Sequence, residues 1–283
     1  MNIVGLGAAG CRIAKAFSKF PQYRTVGIDI TDDADITIRR KRTHELYDAE
    51  FPNLKRRLKL VEDHVLVVLA GSGAISGGVL RLLEQLQNHP TTVLYIEPDL
   101  TLASEVQRQH EKIVRNVLQE YARSGMIEGI WLVSNQAVER GVGDFPIMGY
   151  HDILNQAIVN TVHMINVFNN SEPVIGSIIE PSELSRIATL GIVDLETDEE
   201  KWFYGLTHPR DVVYYYGINE KELEEDSTLF TKITNYVKSQ ITPGVNVSYG
   251  VFKTTYDQKY CYCIKYSSMV QSYAELLDDQ DIG

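Results

Sequence analysis

Five short apolar runs, at 2–4, 25–29, 64–70, 92–97 and 130–134, alternate with longer stretches of mixed polarity through the first half of the chain. Runs of this length between polar and glycine-containing segments predict strands, and their alternation with helical stretches predicts a parallel sheet covered by helices. Helical spacing is clearest over 104–125, where Val106, Ile113, Val117 and Tyr121 fall near one stripe. It recurs over 150–168, through Ile153, Leu154, Ile158, Val162, Ile165 and Val167, a helix long enough to be a spine between two halves. After 169–173 the texture changes: strands are predicted at 174–179, 211–218, 245–254 and 260–266, and helices at 181–190 and 228–239. The pattern predicts an α/β protein with a parallel, Rossmann-like sheet over 1–148, a spine helix over 149–170 and a smaller α+β domain over 171–283.

Composition narrows the function. With 283 residues, 44% of them hydrophobic, the chain has the length for one large domain or two small ones. A net charge of -11 gives the surface a negative field that repels phosphate backbones and anionic headgroups, so neither nucleic acid nor membrane is an expected direct partner. The apolar run at 65–70 is far below the roughly 20 residues that cross a bilayer, and the run at 3–9 lacks the basic lead of a signal peptide. Three cysteines, two of them Cys261 and Cys263 on one face of a predicted strand, make no disulfide framework. A reducing cytoplasm is the expected compartment. The seven histidines show no ligand spacing, so no metal-ligating side chains are expected.

Candidate chemistry begins where the first strand ends, in Gly5-Leu6-Gly7-Ala8-Ala9-Gly10-Cys11-Arg12. Small residues there let backbone N–H groups approach an anion, and a helix N-terminus adds partial positive charge. Asp29, at the end of the second strand, fits the ribose carboxylate of a dinucleotide-binding fold. A second cluster, Ala70-Gly71-Ser72-Gly73-Ala74-Ile75-Ser76-Gly77-Gly78, lies between a strand and a helix. A dinucleotide fold needs one such loop; two at the same end of a parallel sheet make a cradle for the phosphates of a mononucleotide.

The second loop resembles the signature loop of the tubulin/FtsZ superfamily, with Gly73, Ala74, Ile75, Ser76 and Gly77 in its places. Two of the family's three leading glycines are replaced by Ala74 and Ile75, and its threonine by Ser76. The first loop resembles the family's first phosphate loop through Gly7, Ala8 and Ala9. Cys11 and Arg12 stand where the family carries residues that touch guanine and phosphates. Further matches follow in chain order: Glu97-Pro98 resembles a strand-end Lys-Pro, and Ser134-Asn135-Gln136 resembles Pro-Asn-Asp. The segment from Asn155 to Ile165 resembles the helix whose asparagine reads the guanine edge. The resemblance implies Asn155 as base reader, His151 one turn earlier in the stacking position, and GTP or GDP with Mg2+ as the bound group.

It also implies head-to-tail self-assembly, with hydrolysis completed by acids from the neighbouring subunit. Glu180 and Glu183 stand in the matching place, at the start of the helix predicted over 181–190. There the i, i+3 spacing would put both carboxylates on one helix face, to orient water and help hold Mg2+. A charge pair complementing the helix dipole is the alternative reading. The sequence departs from the family at 45–60, which has no glycine where the γ-phosphate is sensed. The acidic tail at 275–281 could recruit an adaptor protein.

Three other readings stay open at this stage. A scaffold of the same fold would bind nucleotide weakly or not at all. An NAD(P)-dependent oxidoreductase would use Gly5, Gly7, Gly10 and Asp29 but leave the second loop unexplained. A serine hydrolase would use Ser72 after a strand, with displaced glycines and no histidine tied to it.

Overall fold

The computed structural model describes residues 1–143 and 148–272; the adaptor site expected at 275–281 lies outside them. The first half runs β1 (Asn2–Leu6), α1 (Gly7–Phe17), β2 (Arg24–Asp29), β3 (Ile36–Thr37), α2 (His44–Ala49), α3 (Lys55–Leu58), β4 (Val65–Ala70), α4 (Val79–Leu86), β5 (Thr91–Glu97), α5 (Glu105–Arg123), β6 (Gly129–Ser134) and α6 (Asn135–Val142). The second runs α7 (Tyr150–Asn169), β7 (Ile175–Ser177), β8 (Ile187–Val193), β9 (Glu200–Trp202), β10 (Asp211–Asn219), α8 (Glu220–Glu225), α9 (Leu229–Ser239), β11 (Asn246–Thr254) and β12 (Tyr260–Ser267).

All these strands join one sheet, ordered β3-β2-β1-β4-β5-β6-β8-β12-β10-β11-β7, with β9 on β8. From β3 through β8 the pairing is parallel; β12 enters antiparallel between β8 and β10. β4, Val-Leu-Val-Val-Leu-Ala, is apolar throughout because helices cover both faces of the sheet. Alternate β1 residues divide between two cores: Val4 and Leu6 pack on the side of α4 and α5, Ile3 on the side of α1 and α7. α5 begins where the Ser104 side chain accepts from the Gln107 N–H and the Gln107 side chain reaches back, a capping box that satisfies two orphan amide donors. Cys261 and Cys263 are both buried on β12, on one face of the strand as expected.

The helix expected over 181–190 does not form. Leu184, Ile187 and Leu190 have helical spacing, but Leu184 is exposed, whereas Ile187 to Val193 is a buried strand paired with β6 and β12. A short apolar run cannot be told from a buried helix by period alone. Its backbone groups are satisfied here by neighbours distant in sequence. Glu180 and Glu183 therefore stand on a loop rather than on one face of a helix.

The end of β12 returns to α5 through Gln271, a buried side chain whose amide spans Thr207 and Met269. Its backbone N–H donates to Gln119 Oε1 at 2.7 Å, and its carbonyl accepts from Arg115 at 2.8 Å. Arg115 in turn donates to Glu111 Oε1 at 2.9 Å, and both side chains are almost wholly buried.

Candidate functional site

In the order β3-β2-β1-β4-β5-β6 the chain leaves β1 toward one edge and returns beside it at β4, so the strand order reverses between β1 and β4. A doubly wound sheet opens its ligand crevice at the carboxyl ends of the strands at such a switch point. Both glycine loops lie there. A Cβ on Gly10 would sit 2.2 Å from the Val68 carbonyl oxygen, and one on Gly5 2.3 Å from that of Gly10. α1 can thus start directly against the sheet only with glycine at both positions.

Gly7 takes φ of +75°, and a Cβ there would meet Ile75 at 2.9 Å, so the two loops sit side by side. No side chain caps the N-terminus of α1 and no acid stands in its first turn. Ala8 is exposed and Ala9 half-buried, leaving this turn and its dipole open to an anion.

The second loop divides in two. Gly73, Ala74 and Ile75 reach the surface, whereas Ser76 and Gly77 are buried. The Ser76 hydroxyl lies 2.9 and 2.6 Å from the Gly71 and Gly73 carbonyl oxygens and closes the loop on itself. Gly77 lies under α2, where a Cβ would come within 2.1 Å of the His44 carbonyl oxygen. Half of the glycine pattern thus serves packing, a role the sequence does not distinguish from phosphate binding.

Arg12 is exposed on α1. The Cys11 thiol points back at the Gly5 carbonyl at 3.8 Å; burial, with Asp29 and Asp35 nearby, pushes its pKa up to about 12 and leaves it unreactive. Asp29 is buried and accepts from the Ile30 N–H at 2.8 Å.

α7 starts beside α6, where the Tyr150 hydroxyl donates to Glu139 at 2.7 Å, and descends to the opposite pole, where Asn166 donates to the Tyr23 hydroxyl. Its first turns carry His151, exposed with its ring edge-on to Tyr150, and Asn155, half-buried. The Asn155 side chain makes no hydrogen bond among the described residues.

Glu97 closes β5 at this pole, and the sequence shows it only as a strand-end match. It is buried, its Oε1 has no hydrogen-bond partner among the described residues, and burial with Glu111 nearby raises its pKa to about 7. The folded protein holds this proton more tightly than the unfolded chain does. The contribution to stability is therefore greatest below the ordinary carboxylate range and is lost as pH rises toward and past 7. Stability is expected to fall by about 3 kcal/mol between pH 4.5 and 8 through this group, and Glu97→Gln to remove that slope in urea titrations.

Glu180 and Glu183 are exposed at the other end of the molecule. Arg186 donates to the Glu183 carbonyl at 2.9 Å and to the Ile127 carbonyl at 3.3 Å, placing the loop at the amino ends of β6 and β8. The structure therefore brings Gly7, Ala8, Ala9, Gly73, Ala74 and Ile75 together at the switch point and sets Glu180 and Glu183 at the opposite pole.

A parallel sheet with two glycine loops at its switch point, backed by the long helix α7 and extended by a mixed sheet, is the tubulin/FtsZ-like fold. The chain has that fold: it is similar to TubZ from Bacillus thuringiensis serovar israelensis in a GTPγS-form protofilament, with 15% identity, 95% of this chain and 87% of that chain covered, and a TM-score of 0.73. It is also similar to an FtsZ dimer from M. jannaschii, at 11% identity, 94% and 87% coverage and a TM-score of 0.67. GDP-bound CetZ1 from Haloferax volcanii gives 14%, 94% and 93%, and 0.68. No protein-family model and no curated protein matches the sequence. Among the described residues no helix is long and apolar enough to cross a membrane.

Proposed function

We propose that this chain binds a guanine nucleotide at the switch point and assembles head to tail, each subunit presenting Glu180 and Glu183 to the nucleotide of the next. The observation that carries the reading is polarity: the glycine loops occupy one pole and the two exposed acids the other. Stacking subunits along this axis brings the two sets together, whereas within one subunit the 20-residue α7 keeps them roughly 30 Å apart.

The residues fit the ligand. The uncapped first turn of α1 and the outward part of the second loop would take the phosphates, and Asn155 and His151 the base. Mg2+ would arrive with the triphosphate, held largely by phosphate oxygens and water. Bound GTP supplies the scissile phosphoanhydride; the carboxylates at the facing pole would orient the attacking water.

Light scattering with GTP, GDP or no nucleotide, with phosphate release followed in parallel, tests this. Scattering is expected with GTP alone, and phosphate release per subunit is expected to rise above a critical concentration. Glu180→Ala with Glu183→Ala is expected to keep nucleotide binding and assembly while slowing release at least about tenfold. Release that scales linearly with protein and never requires assembly would sink the shared site. A second reading, a scaffold that assembles without nucleotide, is favoured by the burial of Ser76 and Gly77; it predicts equal scattering under all three conditions.

A further inference from the structure

On the α5 side of the sheet, separate from the switch point, lies a cleft of about 1440 Å³. Its walls are α5, α6, the loop after β5, the segment after β9 and residues 270–272. α6 stands between the two sites: Gln136, Ala137 and Arg140 face the cleft, while Glu139 binds Tyr150 at the head of α7.

In a chain of net charge -11 this cleft is lined by Lys112, Arg140 and Lys265, none of which has an ion-pair partner among the described residues. Lys265 is largely desolvated, its ammonium held 4.3 Å from the Trp202 ring centroid. The other cation, Arg115, is engaged by Glu111 and the Gln271 carbonyl. Of the two acids, Glu120 is paired with Arg123, and Glu97 lines the cleft with an Oε1 that has no hydrogen-bond partner among the described residues. Apolar surface from Leu100, Trp202 and Leu206 completes the lining.

We propose that this cleft receives the acidic segment 273–283 of the same chain. Ser272, the residue that precedes the segment, is itself part of the cleft wall. The segment reads Tyr-Ala-Glu-Leu-Leu-Asp-Asp-Gln-Asp-Ile-Gly. Its acids Glu275, Asp278, Asp279 and Asp281 complement three unpaired cations, and Leu276 and Leu277 complement the apolar wall. Eleven residues extend at most roughly 40 Å, whereas Lys112 and Glu120 are about 12 Å apart along α5, so length does not prevent the match. Tethering at the rim raises the effective concentration to the millimolar range, which lets weak contacts suffice.

The test uses the full chain and a fluorescein-labelled peptide of residues 273–283, followed by anisotropy at low and high salt. The native chain is expected to bind the peptide poorly because its own segment occupies the cleft. A full chain carrying Glu275→Gln, Asp278→Asn, Asp279→Asn and Asp281→Asn is expected to bind it at least about tenfold more tightly, and less so in 0.5 M salt. Adding Lys112→Glu and Arg140→Glu, both at exposed positions, is expected to abolish that binding. Equal affinity for native and neutralised chains would overturn the proposal. So would binding that survives the charge reversals, or sedimentation showing that native chains pair through the segment of a second copy.

Discussion

Ala8→Asp is expected to abolish nucleotide binding while leaving the fold as stable as before or slightly more so. Ala8 is exposed in the uncapped first turn of α1, so the new side chain meets no packing obstacle. A carboxylate in a helix's first turn interacts favourably with the dipole, by about 0.3–1 kcal/mol. The same charge would face the incoming phosphates, where two unit charges about 4 Å apart repel by about 4 kcal/mol at an effective dielectric of 20. Affinity for a fluorescent GTP analogue is expected to drop at least about 100-fold, and the thermal midpoint to hold or rise. A drop in both would mean that the turn is structural, and unchanged affinity would place the phosphates elsewhere.

Arg115→Ala is expected to cost about 3–5 kcal/mol, because it leaves the Glu111 carboxylate buried without its cation. Two further connections suffer. The Gln271 carbonyl loses a donor, loosening the return of the chain from β12 to α5, and Glu111, which also accepts from the Tyr95 hydroxyl at 3.1 Å, loses its hydrogen bond from Arg115. The double variant Arg115→Met, Glu111→Leu is expected to recover most of the loss, since a buried ion pair is often replaceable by apolar residues of similar volume. Urea unfolding of both variants checks this; a double variant as unstable as the single one would show that the pair's hydrogen bonds, and not the stranded charge, carry the stability.

The hydrophobic pattern was enough to read the parallel half of the sheet. Strands buried on both faces are short apolar runs whatever their neighbours, and α5 and α7 carry their own stripe and, for α5, its own cap. The two glycine loops and the start of α7 were legible as well, because a close backbone approach demands glycine locally. β8 was not legible: Ile187 to Val193 fits either period, and its pairing with β6 and β12 decides the matter through residues 57 to 80 positions away. The division of the second loop was equally hidden, since Gly77 is required by α2 packed above it and not by anything in its own stretch. Tertiary structure alone also put Glu180 and Glu183 at the pole opposite the loops, buried Glu97 with an Oε1 that has no hydrogen-bond partner among the described residues, and gathered Lys112, Arg140 and Lys265 into one cleft. Period and glycine placement are set by neighbours along the chain; polarity, burial and charge grouping depend on which distant segments the sheet brings together.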